Sequence, residues 1–322
     1  MGPPKRPYSY EIGFITGGNA SRLAITESEF SDYLDAKKKL LSLLAIEEAF
    51  DIVLTSFEEF EHLLVRVALE HAMYQGIDWH SFITNLRRFN HKLNDVLSAI
   101  YLYFEHTRGA LTDLFGKSSP ELLLYRGFCK RECEQNLSVR LMQLIRDVSQ
   151  HVNLPLKSLS MPMKRKGEPG NSILEFVSQP RFRKDDLGIK EKIPRKHRED
   201  WEKDSPGLPD DIAIPDHLRK YVMSVGRTNS EVRKITSEMA EACVSKLRNP
   251  KTAYLKSLGE TELKSNQALG ILELENDPTS APIEIHPIVD SIAEHWERLT
   301  LKNARLPDLS KIVVSNRPAD FQ

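Results

Sequence analysis

Cysteine is scarce in this 322-residue chain: Cys129, Cys133 and Cys243 are all it has. An odd count of three argues against a disulfide framework, so reduced thiols are expected. Long apolar runs are missing as well. Nothing approaches the ~18 consecutive apolar residues that a membrane span needs, and the start, MGPPKRPYSYEIG, lacks the apolar centre of a signal peptide. The expectation is a cytoplasmic protein with no membrane partner. Nor is there an excess of charge of one sign, because 45 Lys plus Arg stand against 46 Asp plus Glu, a formal net charge of -1. That excludes a polycation that coats nucleic acid unaided, and any basic surface has to be local. No G-x-S-x-G segment offers a nucleophile elbow, and no repeat or low-complexity tract is present. What the chain does have, 40% hydrophobic and 28% charged residues, is enough to bury one sizeable core with appendages or two modest domains.

Most of it reads as helix. After a strand candidate at Ser9 to Gly18, where Ile12 and Phe14 alternate with Glu11 and Gly13, the segment TESE forms a capping box, with Glu29 three residues after Thr26. Apolar residues then recur at helical spacing through Phe30, Leu34, Leu41, Leu44, Phe50, Ile52 and Leu54, and the helix is expected to reach Tyr74 and stop at Gly76. Asp78 caps the next, which Leu86, Leu93, Leu97, Ile100 and Phe104 carry to Phe115 and Gly116 ends. Ser119 before Pro120 opens a third, expected to run to about Val152 with a weak point at Gly127. A fourth spans Pro215 to Leu247, with Asn249 and Pro250 as its terminator. Helices of about 30 residues extend roughly 45 Å, the proportions of an elongated antiparallel bundle.

Between the third and fourth helices the character changes. SMPMKRKGEPGNSILEFVSQPRFRK reads as two strands around a Gly and Pro turn, a β-hairpin followed by a solvated loop. Residues 157–200 hold twelve Lys plus Arg against seven Asp plus Glu, a formal +5, which makes this the local basic surface. Lys164, Arg165, Lys166, Arg181, Arg183 and Lys184 could track an RNA backbone, with Phe182 offering a stacking face. The plainer account is a soluble hairpin with gatekeeping charges. The last seventy residues, with ALGILELEN, APIEIHP, a short helix around Ile292 to Leu301 and DLSKIVVSN, form a small strand-containing extension. The organisation expected is therefore an N-terminal strand at 1–25, a helical bundle at 26–155, a basic hairpin and loop at 156–214, a bundle-closing helix at 215–250, and a C-terminal extension at 251–322.

One stretch, IRDVSQHVNLPL at 145–156, gathers an arginine, an acid and a histidine at a helix end. At 100° per residue, Leu141, Ile145, Val148 and Val152 form the buried stripe; measured from Leu141, Arg146 lies at about 140°, Asp147 at about 240° and His151 at about 280°. Asp147 and His151 are i,i+4 neighbours, a spacing that lets the carboxylate fix one imidazole tautomer and raise the basicity of the free nitrogen. A histidine with an unperturbed pKa near 6.5 serves as acid or base at neutral pH, and the planar fork of Arg146 suits a phosphate oxygen. A single helix does not assemble all three. A second copy across a two-fold axis would bring two Arg and two His into one cleft, which favours a homodimer. The plain alternative is a helix-end histidine favoured by the dipole, paired with Asp147 beside a solvated Arg146.

RDVSQH fits the Arg, polar residue, three variable residues, His motif of the HEPN superfamily (higher eukaryotes and prokaryotes nucleotide-binding). NLSVRLMQLIRDVSQHVNLPL resembles the corresponding segment of long, stand-alone bacterial HEPN proteins, and RRFNHKLNDVLSAIYLYFEH (87–106) is similar to the helix that precedes it there. The resemblance, clearest over 80–160, implies a mainly α, HEPN-like bundle. It further implies a metal-independent endoribonuclease acting as a homodimer, in bacterial stress or antiviral defence, without a cofactor. In that role Arg146 would bind and polarise the scissile phosphate, His151 would transfer a proton as the ribose 2′-hydroxyl attacks, and Asp147 would orient His151. The products would carry 2′,3′-cyclic phosphate and 5′-hydroxyl ends. An antitoxin or sensor protein is a further partner of the kind this resemblance implies. The chain has Asp147 where the nearest pattern has Asn, and an added carboxylate opposes phosphate. Some HEPN domains have lost catalysis, so a non-catalytic RNA-binding or protein-interaction module stands beside the nuclease.

Other motifs are weaker. Cys129 and Cys133 share a helix face but lack two further ligands, so no metal site is expected. FITGGN has two glycines yet no phosphate-loop Lys and Ser or Thr, and reads as a turn. His91 near Arg88 and His106 near Arg108 read as surface or inter-helix contacts.

Overall fold

The computed structural model describes residues 8–15, 21–74, 78–166, 173–187, 193–263, 268–275 and 282–311. The protein is mainly helical, with small antiparallel sheets, and divides into two compact units. One comprises residues 1–47 and 233–302, the other 48–232 and 303–322. No helix among the described residues is long and apolar enough to cross a membrane.

The first unit is built on a four-stranded sheet of order β2-β1-β8-β9. Strand β1 (Tyr8–Phe14) lies between β2 (Leu23–Ile25) and β8 (Leu269–Glu275), and β9 (Glu284–Pro287) closes the far edge. The N-terminal strand is thus paired over its length with the C-terminal extension, from Tyr8 opposite Glu275 to Phe14 opposite Leu269. Alternation puts Ile12, Leu269 and Ile271 on the face that packs with Phe30, Tyr33, Ala36 and Leu40 of helix α1 (Glu27–Tyr74) and with Cys243, Leu247 and Tyr254 of helix α6 (Ile214–Leu258). The capping box forms as read. The Thr26 amide donates to Glu29 Oε2 at 2.8 Å and the Glu29 amide to Thr26 Oγ1 at 3.2 Å, which holds the Glu29 carboxyl below its ordinary pKa. Helix α1 does reach Tyr74, but Leu41 and Ile52, placed on the apolar stripe by spacing, are exposed, and Leu40, Leu43 and Val53 are buried instead. The expected stop at Gly76 lies outside the described residues.

Helix α6 overruns its expected terminator. Pro250 sits inside it and the helix continues to Leu258. A proline interior to a helix costs roughly 3 kcal/mol, and the residues gained, Tyr254 and Leu255, are both buried, with the Tyr254 hydroxyl donating to the Ser21 carbonyl at 2.6 Å. Burial of that turn against the sheet offsets the lost backbone bond.

The second unit contains α2 (Trp79–Phe115), α3 (Pro120–Gln135), α4 (Leu137–His151) and α5 (Arg195–Asp204), with the parts of α1 and α6 that belong to it. Asp78 caps α2 by accepting the Ser81 amide at 2.6 Å, and Gly116 ends it at φ 94°. Ser119 caps α3, accepting the Leu122 amide at 3.2 Å. The third helical stretch is broken at Asn136 rather than weakened at Gly127. Asn136 leaves helical geometry at φ −120° and ψ 103°, and its side chain accepts the Ser138 amide at 3.0 Å, so it caps α4.

The midsection also differs from a single hairpin and loop. Strands β4 (Met163–Lys166) and β5 (Ile173–Phe176) do form an antiparallel pair. The segment Gln179–Arg183, however, is strand β6 of a separate sheet, between β3 (Ser158–Ser160) and β7 (Asp211–Ala213). What read as a solvated loop carries α5. In the C-terminal extension, α7 (Ser291–Asn303) falls where a short helix was expected; of DLSKIVVSN, Leu309–Lys311 form a single 3-10 turn, and 312–316 lie outside the described residues.

Asn90 fixes the exit from α4. Its carboxamide accepts the Leu156 amide at 2.9 Å and donates to the Leu156 carbonyl at 2.9 Å, fully enclosed. Replacing Asn90 by Ala strands both backbone groups, and we expect a loss of about 1–3 kcal/mol in urea unfolding; a loss below ~0.5 kcal/mol would mean that water takes over both bonds.

Candidate active site

Arginine, aspartate and histidine of the RDVSQH motif all lie on α4, whose burial is wider than one stripe. Beyond Leu141, Ile145 and Val148, the residues Met142, Leu144 and Asp147 are buried too. The reason is α5, which packs on the face that the helical wheel left to solvent. None of the α5 residues is itself fully buried, and polar pairs hold it in place. Arg140 of α4 makes a two-point bond to Asp204, Nε to Oδ2 at 2.6 Å and Nη2 to Oδ1 at 3.0 Å, and its Nη1 donates to the carbonyls of Cys133 and Glu134 at the end of α3. Trp201 of α5 packs edge-on against Phe182.

This packing re-partners Asp147. Its carboxylate is 4% exposed and accepts a bond from Nδ1 of His197 on α5, not from His151. The i,i+4 pairing expected between Asp147 and His151 is absent, because a buried carboxylate bonds the imidazole brought against it from another element, while His151 at the last turn is exposed. The other oxygen, Oδ1, receives Arg146 Nη1 at 3.5 Å. Arg146 is no solvated surface charge either: its side chain is 21% exposed and its guanidinium carbon sits 3.8 Å from the centre of the Tyr101 ring, a cation over an aromatic face. The Nε and Nη2 of Arg146 have no partner among the described residues, and Nε is buried.

The site is therefore an arginine seated over the Tyr101 ring, a buried carboxylate beside it, and an imidazole whose Nδ1 is fixed by that carboxylate. Nδ1 as donor leaves Nε2 of His197 the basic nitrogen, and this atom has no partner among the described residues. The His197 ring, with Leu141, Leu144 and Trp201, lines a small crevice between α4 and α5. Such a set can hold an anion and move a proton. His151 is a second, solvated imidazole a turn beyond. Sequence reasoning missed His197 because α5 has no apolar period, and its only signal was a histidine in a basic, loop-like run.

The basic cluster is divided. Lys164, Arg165 and Arg183 are exposed and have no partner among the described residues. Arg181 is engaged, donating to the Asp211 carbonyl at 3.2 Å and to Gln179 at 3.0 Å, and Lys184 donates to the Leu208 carbonyl. The side chain of Lys166 lies outside the description. Phe182 offers no stacking face to RNA, since it is wholly buried. Of the thiols, burial pushes Cys129 up to about 11 and raises Cys133, which opposes the thiolate form a metal requires. Comparison of the chain with protein-family models, with curated proteins and with solved structures finds no match.

Proposed function

We infer that the protein is a metal-independent endoribonuclease that works as a homodimer, with Arg146 gripping the scissile phosphate and His151 moving the proton from the attacking 2′-hydroxyl. The observation that carries this reading is Arg146: a planar cation seated over Tyr101, with Nη1 on Asp147 and Nη2 unclaimed among the described residues, offers that donor to a phosphate oxygen. His151 supports it as an exposed imidazole on the same helix end. Asp147 takes a different part from the one the motif implies, steadying Arg146 and His197 instead of His151. A homodimer is favoured because Arg146 and His151 point about 140° apart on one helix, and because Tyr101 and its neighbour Leu102 are 43% and 51% exposed. Cytoplasmic action, in bacterial defence or stress and under the control of an antitoxin or sensor, belongs to the same reading.

A second reading, a non-catalytic HEPN-like module that binds RNA or a protein, is favoured by the engagement of Asp147 with His197 in place of His151. Incubating the purified protein with mixed RNAs in excess EDTA separates the two. Cleavage that leaves 2′,3′-cyclic phosphate ends is the expected result. Intact RNA in the presence of a folded dimer, at all protein concentrations tried, would favour the binding module.

A further inference from the structure

In the first unit, three potential ligands converge on the face of the sheet that meets the core. Glu273 of β8 and Glu284 of β9 are directly opposite in register, and His286 lies two residues beyond Glu284, opposite Ile271. Strand alternation places all three side chains on one face, the face on which Ile271 is fully buried. The His286 ring is walled by Phe30, with centres 4.9 Å apart.

His286 Nε2 is 4.0 Å from Glu273 Oε2 and 3.9 Å from Glu284 Oε1, too long for hydrogen bonds. Nε2 is itself buried and has no hydrogen-bond partner among the described residues. Two carboxylates directly opposite in an antiparallel pair repel, and an orphaned buried nitrogen is costly. One cation among the three would satisfy the nitrogen and neutralise the carboxylates.

We propose that Glu273, Glu284 and His286 form a binding site for a divalent transition-metal ion of the zinc class. One candidate ligand atom from each residue lies within 4.8 Å of the others. Two ligands bonded at ~2.0–2.2 Å to one ion lie roughly 3.0–3.6 Å apart, so each His286–carboxylate gap closes on an ion by about half an ångström or a little more, and the widest pair, within 4.8 Å, by about 1–2 Å. Glu284, 64% exposed at its side chain, has the freedom to supply that shift. One imidazole and two carboxylates without a thiolate suit Zn²⁺ or Mn²⁺ rather than Cu(I), and the imidazole discriminates against Ca²⁺ and Mg²⁺. Three protein ligands leave a position for water on the Glu284 side. Bound there, the ion ties the edge strand β9 to β8, and this role is separate from RNA cleavage by α4.

Titration of full-length protein, stripped with EDTA and returned to metal-free buffer, with ZnCl₂ in a calorimeter tests the site. We expect one Zn²⁺ per chain, a higher melting temperature with the ion, and no comparable response to MgCl₂. His286→Ala should abolish that isotherm and Glu284→Gln should weaken it at least about tenfold, a loss like that seen when a metal's supporting groups are removed. Because Glu284 is exposed, its variant keeps the fold and decides the matter even if His286→Ala does not fold. No binding to the wild-type chain, or binding of equal strength and stoichiometry to folded Glu284→Gln, would overturn the proposal.

Discussion

His151→Ala is expected to lower metal-free RNA cleavage by about 10²–10⁴-fold, the usual share of a positioned acid or base, while shifting stability by no more than ~0.5 kcal/mol. The stability half follows from the structure, in which the imidazole is exposed and no partner among the described residues is lost with it. The activity half follows from the proposed function. Rates should be compared in EDTA with matched melting curves. His197→Ala is the informative companion, because His197 is the imidazole that a carboxylate does hold. Full activity in His151→Ala with loss in His197→Ala would move proton transfer to the Asp147–His197 pair and sink the motif-based assignment. Loss in His151→Ala alone would leave His197 as a clamp on Asp147.

What the sequence made legible divides along the range of the interaction. The caps at Thr26, Asp78 and Ser119 and the stop at Gly116 were readable because each is a contact within four residues. Asn136 was readable in principle by the same logic, since Asn preceding L-S-V is a cap, but the apolar period across it suggested one helix. Helix α5 was not readable. RKHREDWEKD buries no residue completely and is held by polar pairs 50 to 64 positions away in sequence, His197 to Asp147 and Arg140 to Asp204. A hydrophobic period registers only burial of apolar surface, so a helix docked through polar bonds leaves no trace in it. The motif residues were found for the same reason that their geometry was misjudged. RDVSQH is a local pattern, but which imidazole Asp147 bonds is settled by a distant element.

The same distinction sets the largest stability effect expected. Arg233 of α6 reaches Glu47 of α1 with two bonds of 2.6 Å, Nε to Oε1 and Nη2 to Oε2, and the Glu47 side chain is 4% exposed against 19% for Arg233. Both residues belong to the first unit. A buried two-point pair contributes little net, because desolvation consumes most of the attraction, yet removing the arginine takes two charge-assisted bonds from a carboxylate that the interior solvates poorly. Arg233→Ala is accordingly expected to destabilise by about 3–5 kcal/mol, read as a lower urea midpoint at an unchanged slope. The double change Glu47→Leu with Arg233→Met, which removes both charges and keeps the volume, should recover most of that loss. A single variant that costs less than ~1 kcal/mol would mean that water or other donors carry the Glu47 charge in the altered protein.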